Sequence, residues 1–239
     1  MTQHVLHPAN SRGFADHGWL NSRHTFSFAT YHNPERVHFG ALRVINDDSV
    51  AAGGGFGTHP HQDMEIISIP LSGDLRHRDS MGNEGVIRHG DVQVMSAGTG
   101  IRHSEMNANA DRAVQFLQIW VFPRENGVTP RYGQLRIADG KRKNEFQQIL
   151  SPNPDDAGVW IHQDAWFHLA DFEAGTTRSY ALKKAGNGVY AFVIRGKAKI
   201  GGFDLGPRDG LGLWETDAIE VSATEDAEIL LMEVPMHIG

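Results

Sequence analysis

Apolar positions along this chain come in short runs, and few stretches show the 3.6-residue period of a helix. Residues 64–71, 92–95, 114–122, 189–194 and 229–234 are rich in β-branched and aromatic side chains and are separated by Gly, Asn and Asp. Runs of this kind, bounded by turn residues, predict an all-β fold with strands at short intervals. Residues 79–85 predict the loop of a hairpin, and only residues 153–156 suggest a helical turn. The pattern also repeats. Residues 65–73 and 188–196 each read as an apolar strand closing on a turn glycine, and residues 89–95 and 207–214 each read as a polar turn followed by a strand. Two similar β-barrels in tandem account for this. The reading places residues 1–132 in the first, residues 133–239 in the second, and the crossover within residues 125–140.

Composition narrows the function. The 27 glycines fit a chain with many turns. A formal charge of −7 and the lack of any Lys/Arg run exclude nucleic-acid binding by phosphate neutralisation. The absence of cysteine removes disulfides, thiolate nucleophiles and Cys-type metal sites. No apolar run reaches the roughly 18 residues of a membrane span, and the first residues lack the basic-then-apolar pattern of an export signal. A cytoplasmic protein is expected. Of the 14 histidines, eleven lie at or before position 103, so the first half is where chemistry is expected.

The chemistry-bearing residues form two pairs. In His59-Pro60-His61 the two imidazoles sit at alternate positions, so on a strand they share a face, about 7 Å apart. His103 and Glu105 have the same spacing. If the two pairs meet across antiparallel strands, three imidazole nitrogens and a carboxylate converge. That set suits one divalent transition metal such as Fe, Zn, Mn, Ni, Co or Cu. Glu65 has the same apparent parity and competes with Glu105 for the carboxylate place. Asp63, Asp91 and Gln118 are candidates to brace a metal-bound imidazole. Phe56, Met95, Phe116 and Trp120 are candidates to line an aromatic pocket. With Gly196 taken as the counterpart of Gly73, the places of His59 and His61 hold Leu182 and Lys184. Those of His103 and Glu105 fall near Ser222 and Thr224. No second metal is expected.

Gly53, His59, His61, Glu65 and Gly73, followed by Gly90, Gly98, His103 and Asn107, resemble the two motifs of the cupin superfamily. The wording of His17-Gly18-Trp19-Leu20, His24-Thr25-Phe26-Ser27-Phe28, Gly57-Thr58-His59-Pro60-His61, Gly98-Thr99-Gly100-Ile101-Arg102-His103-Ser104-Glu105 and Thr129-Pro130-Arg131-Tyr132 is closer still to the pirin family. It looks especially like the bacterial pirin-like proteins with quercetin 2,3-dioxygenase activity. The resemblance implies two tandem cupin barrels (double-stranded β-helix, or jelly-roll), the second degenerate and without metal. It implies one metal, iron foremost, on His59, His61, His103 and Glu105, acting on a flavonol-like aromatic substrate and O2. Glu105 would then also be the base that takes the substrate's proton. Glu65 would either brace the ligands or face water. The same resemblance carries an alternative, a metal-containing regulator that binds a protein partner. A monomer or weak dimer is expected.

Overall fold

The apolar runs become strands because each can be buried on one or both faces of a sheet. A computed structural model of the chain describes residues 2–137 and 140–238. In chain order the strands of the first half are β1 (Gln3–His7), β2 (Gly13–Asp16), β3 (Leu20–His24), β4 (Leu42–Val50), β5 (Gly55–His61), β6 (Glu65–Ser72), β7 (Asp74–Asp79), β8 (Glu84–Arg88), β9 (Asp91–Ser96), β10 (Ile101–Asn107), β11 (Val114–Val121) and β12 (Arg131–Arg136). Those of the second half are β13 (Gln147–Ser151), β14 (Val159–Trp160), β15 (Trp166–Phe172), β16 (Thr177–Ala181), β17 (Asn187–Arg195), β18 (Ala198–Ile200), β19 (Phe203–Leu205), β20 (Gly210–Trp214), β21 (Ala218–Ala223) and β22 (Ala227–Pro235).

Each barrel is a seven-stranded sheet faced by a four-stranded one. The large sheets run β12-β9-β6-β11-β4-β3-β2 and β1-β20-β17-β22-β15-β13-β14. The small ones run β5-β10-β7-β8 and β16-β21-β18-β19. The two orders match strand for strand from β9-β6-β11-β4 to β20-β17-β22-β15, so the fold is two tandem cupin barrels. The barrels exchange their ends. β1 pairs with β20 of the second barrel, and β12 pairs with β9 of the first. A cut after residue 132 would fall inside β12. Residues 138 and 139, within the expected crossover, lie outside the described residues.

Each large sheet has an apolar outer face because the two sheets stack on each other there. Ile45, Ile67, Ile69, Leu117 and Ile119 of the first pack with Phe167, Phe192, Leu230 and Met232 of the second in one cluster. Two ion pairs add to this seam, with Asp47 accepting from Arg12 (3.3 Å) and from Arg208 (2.9 Å). The opposite face of each large sheet looks into its own barrel. In the second barrel that interior is filled by Ala170, Tyr180, Ala191, Ile219, Val221 and Leu231, among others.

Residues 79–85 form the expected turn, with the Asp79 carboxylate accepting from the backbone N–H groups of Met81 and Asn83 (2.9 and 3.0 Å). Residues 153–156 are not a helix. The Asn153 side chain accepts from the Asp155 N–H (3.1 Å), which closes a local turn in place of a helical start. The described helical structure is one short 3₁₀ turn, Ala9–Ser11, and no helix among the described residues is long and apolar enough to cross a membrane.

The second barrel buries one histidine that gives the fold a pH dependence. His168 is buried on β15, its Nδ1 has no partner, and burial followed by the nearby Lys183 charge lowers its pKa to about 4. The folded imidazole therefore stays neutral until pH is near 4, while the unfolded one gains its proton near 6.5. Its contribution is intact above pH 6.5 and is lost as pH falls toward 4. A His168→Leu variant should gain about 2 kcal/mol relative to the native chain between pH 7 and pH 4.5, measured by urea denaturation. A difference that does not change with pH would contradict this.

Candidate metal centre

β5 and β10 are antiparallel neighbours in the small sheet of the first barrel, and their register sets His103 directly across from His59 and Ile101 across from His61. β5 is the edge strand, which tolerates Pro60 between its two histidines. The start of β10 is fixed by the turn before it. At Gly98, with φ of +44°, an added Cβ would lie 1.9 Å from the Val128 carbonyl oxygen, so only glycine lets the chain pass.

The three imidazoles converge. Ring centroids are 4.8 Å apart for His59 and His61, 4.4 Å for His59 and His103, and 4.9 Å for His61 and His103. One ring nitrogen from each lies within 4.8 Å of the others. His59 donates its Nδ1–H to the Gly57 carbonyl (2.8 Å), which leaves Nε2 bare. His61 Nε2 and both nitrogens of His103 are buried without a partner. Buried donors and acceptors are rarely left so. Burial, reinforced by the neighbouring imidazoles, lowers His61 to about 4 and His103 to about 3. Both are therefore neutral near pH 7, the form that ligates a metal. With metal–nitrogen bonds of about 2.0–2.1 Å, a small closure of this triangle would seat one transition ion, so the residues present fit one.

Glu105 follows His103 on the same strand face but stands outside the tight nitrogen cluster. It reaches across the barrel interior. Ser68 Oγ–H donates to Oε1 (3.0 Å) and Gln118 Nε2–H donates to Oε2 (2.6 Å). Its negative charge also acts on His61. Gln118, expected to face a polar cavity, does so.

A cavity of about 380 Å³ opens beside His59 and His61. Its apolar walls are Trp19, Phe28, Phe56 and Trp120, and its polar wall is Ser22, His24, Asn46, Asp48 and Gln118. Trp120 stands edge-on to His61 at 4.9 Å, and Trp19 meets Phe56 at 5.2 Å. The volume is within the range of sites for small organic ligands, about 300–1,000 Å³.

Several expectations are corrected. Glu65 neither braces the histidines nor faces water. Asp63 adopts φ of +46°, and this bend between β5 and β6 breaks the alternation on which the parity of Glu65 rested. Glu65 therefore points away from the barrel interior, where Ser96 Oγ–H donates to its Oε2 (2.6 Å) and the Arg131 charge faces it; burial pushes its carboxyl up to about 7. Met95 is buried against Ile66, Ala97 and Ile101, and Phe116 against Leu75 and Ile87, neither of them lining the cavity. Asp63 and Asp91 accept from Gly127 N–H and Arg88 N–H and brace no histidine.

His77 was missed. It is fully buried on β7 opposite Glu105, bonded through Nε2 to Asp79 Oδ2 (3.2 Å), with its ring 5.4 Å from that of His103. The signal was present in Leu75-Arg76-His77-Arg78-Asp79, where His and Asp alternate with solvated arginines.

The second barrel shows what the first would be without this chemistry. The registers put Tyr180 and Leu182 at the places of His59 and His61, and Ile219 and Val221 at those of His103 and Glu105. The expected counterparts were displaced by two or three residues, because the loops flanking β16 and β21 differ in length from those flanking β5 and β10. Leu231 replaces Gln118 and Ala191 replaces Ser68. Each of these six polar groups is replaced by an apolar one except His59, whose place holds Tyr180, while Asn46 of the polar wall is matched by the buried His168.

Residues 6–121 match the family model described as Pirin, and residues 148–234 match the one described as Quercetinase C-terminal cupin domain. The chain is 46% identical over 234 residues to quercetin 2,3-dioxygenase of Escherichia coli strain K12, covering 96% of this chain and 98% of that one. It is 42% identical to a pirin-like protein of Caulobacter vibrioides, covering 95% and 97%. It superimposes with a TM-score of 0.92 on the crystal structure of the bacterial pirin YhhW from Escherichia coli in complex with nickel(II), at 44% identity and covering 98% and 99% of the two chains. A single transition metal is thus supported from both the likeness and the histidine cluster.

The Glu105 network predicts a specific pattern of stabilities. Ser68→Ala with Gln118→Leu, the residues of the second barrel, leaves a buried carboxylate without donors and should cost about 3 kcal/mol or more. Adding Glu105→Val, again the second-barrel residue, should recover most of that loss in chemical denaturation. A triple variant no more stable than the double would refute the account.

Proposed function

This chain belongs to the pirin family, and on that footing we propose that it is a metal-dependent dioxygenase that cleaves flavonols such as quercetin with O2. The observation that carries the reading is the convergence of three imidazoles, those of His61 and His103 neutral and with unpartnered nitrogens, at the end of an aromatic-walled cavity. His59, His61 and His103 are the nitrogen ligands in this reading, and Glu105 supplies the carboxylate. Iron is the favoured ion. Zn, Mn, Ni, Co and Cu accept the same donors, and nickel is the ion in the structure of the bacterial pirin. Without cysteine and without a membrane-spanning helix among the described residues, the cytoplasm is the proposed compartment.

A bound transition metal would lower the pKa of a flavonol's enolic hydroxyl and bring the substrate and dioxygen together. The remaining work falls to the protein. Trp19, Phe28, Phe56 and Trp120 offer flat apolar surfaces to a planar ring system and exclude water. Glu105 spends one lone pair of each oxygen on Ser68 and Gln118 and keeps the others, so it can accept the enolic proton. Ser68 and Gln118 hold that carboxylate in one orientation. Trp120 packs against the His61 ring and limits its swing. The overall change is insertion of both oxygen atoms, opening of the central ring and release of carbon monoxide.

The purified chain should hold one transition ion and take up O2 when quercetin is added. His61→Ala should lose the ion by elemental analysis and the uptake together, with its circular dichroism unchanged. Full uptake by a variant with no bound metal would overturn the assignment.

A further inference from the structure

The first barrel carries more buried polarity than its ligands require. Read across the large sheet, the register sets His24, Asn46, Gln118, Ser68 and Gln93 side by side on five strands, all pointing into the barrel. Gln118 and Ser68 serve Glu105. His24 donates its Nδ1–H to Asn46 Oδ1 (2.9 Å). Next to this row stand Ser22 and Asp48, paired across β3 and β4, with Ser22 Oγ–H donating to Asp48 Oδ1. Asp48 is 3% exposed, lines the cavity, and its Oδ2 engages no hydrogen-bond partner among the described residues.

That oxygen is not among the fully buried polar atoms without a partner, so it opens onto the cavity, where a donor from a bound molecule can reach it. The second barrel shows that the fold does not need a carboxyl group there. The register places Ala170 at the position of Asp48, within a filled apolar core. The polar wall therefore serves the cavity rather than the barrel.

We propose that Asp48, set by Ser22, is a specificity-determining residue that receives a phenolic hydroxyl of the substrate remote from the metal-binding hydroxyl. The inference rests on the reading of the site as a flavonol pocket and deepens it. It selects planar aromatics that carry hydroxyl groups at both ends over those that carry only the coordinating one. The surroundings fit that class. The aromatic walls, Trp19, Phe28, Phe56 and Trp120, accept a planar ring, while an alkyl chain would leave Asp48 unsatisfied. Burial, with the negative charge of Glu105 adding to it, pushes the Asp48 carboxyl up to about 7. Near neutral pH it can therefore meet a phenol either as acceptor or as donor.

The test compares quercetin with 3-hydroxyflavone, which keeps the coordinating hydroxyl and lacks the others. Equilibrium titration of the metal-loaded chain gives a ratio of the two affinities. The native chain should prefer quercetin by tenfold or more, and Asp48→Ala should bring the ratio to within about threefold of unity. Asp48→Asn, which keeps the shape and an acceptor, should restore part of the preference and guards against a variant that fails to fold. An Asp48→Ala ratio equal to that of the native chain would overturn this inference alone. A native chain that binds neither flavonol would overturn both it and the proposed function.

Discussion

The buried carboxylate of Glu105 is the constraint around which the first barrel is organised. A charge taken out of water must be met by donors, and here the donors come from two strands of the opposite sheet, Ser68 on β6 and Gln118 on β11. The contact ties the small sheet, which carries all three histidines, to the large sheet, which carries the polar wall of the cavity. It also keeps the interior from closing. A barrel holding a carboxylate, its two donors and three imidazoles cannot be filled with aliphatic side chains, and the space left is the cavity.

The second barrel is an internal control for that argument. It has the same strand order and nearly the same registers, but apolar side chains stand where most of the first barrel's polar ones do. Its interior closes into a core. Polarity persists at its rim, where Glu233 takes the place of Trp120 and accepts from Tyr180 OH, Asn187 Nδ2 and the backbone N–H groups of Lys183 and Lys184. That carboxylate is fully buried and fully engaged, whereas Trp120 at the same place in the first barrel lines the cavity. The second barrel's contribution is mechanical. Its large sheet covers the outer face of the first, so the polar wall of the cavity is built on a sheet buried on both sides.

Electrostatics near the site act in one direction on the histidines and in another on the acids. Burial keeps His61 and His103 unprotonated and ready to ligate. The same desolvation raises Asp48 and Glu65, so the interior avoids a concentration of negative charge beside Glu105 and at the seam between barrels. Low polarity thus supplies both the neutral nitrogens that a metal needs and acids that can exchange protons near neutral pH.

The sequence by itself determined the strands and the pairing of chemistry within each strand. Apolar runs of four to nine residues between Gly, Asn and Asp admit little else, and alternation within one strand is a local property. That is why His59 with His61, and His103 with Glu105, could be placed on common faces from spacing alone. The duplication and the loss of ligands in the second half were also visible, though the counterparts of the histidines were misplaced by unequal loops. Tertiary structure decided whatever depends on register between strands or on a break within one. Glu65 lost its parity at a single positive-φ residue, Asp63. The polar wall draws on Ser22, His24, Asn46 and Asp48 from β3 and β4 and on Gln118 from β11. Side chains so distant in sequence share a cavity only because cross-strand hydrogen bonding sets them side by side. The exchange of β1 and β12 between barrels likewise follows from which sheet edge lies open, which no local pattern encodes.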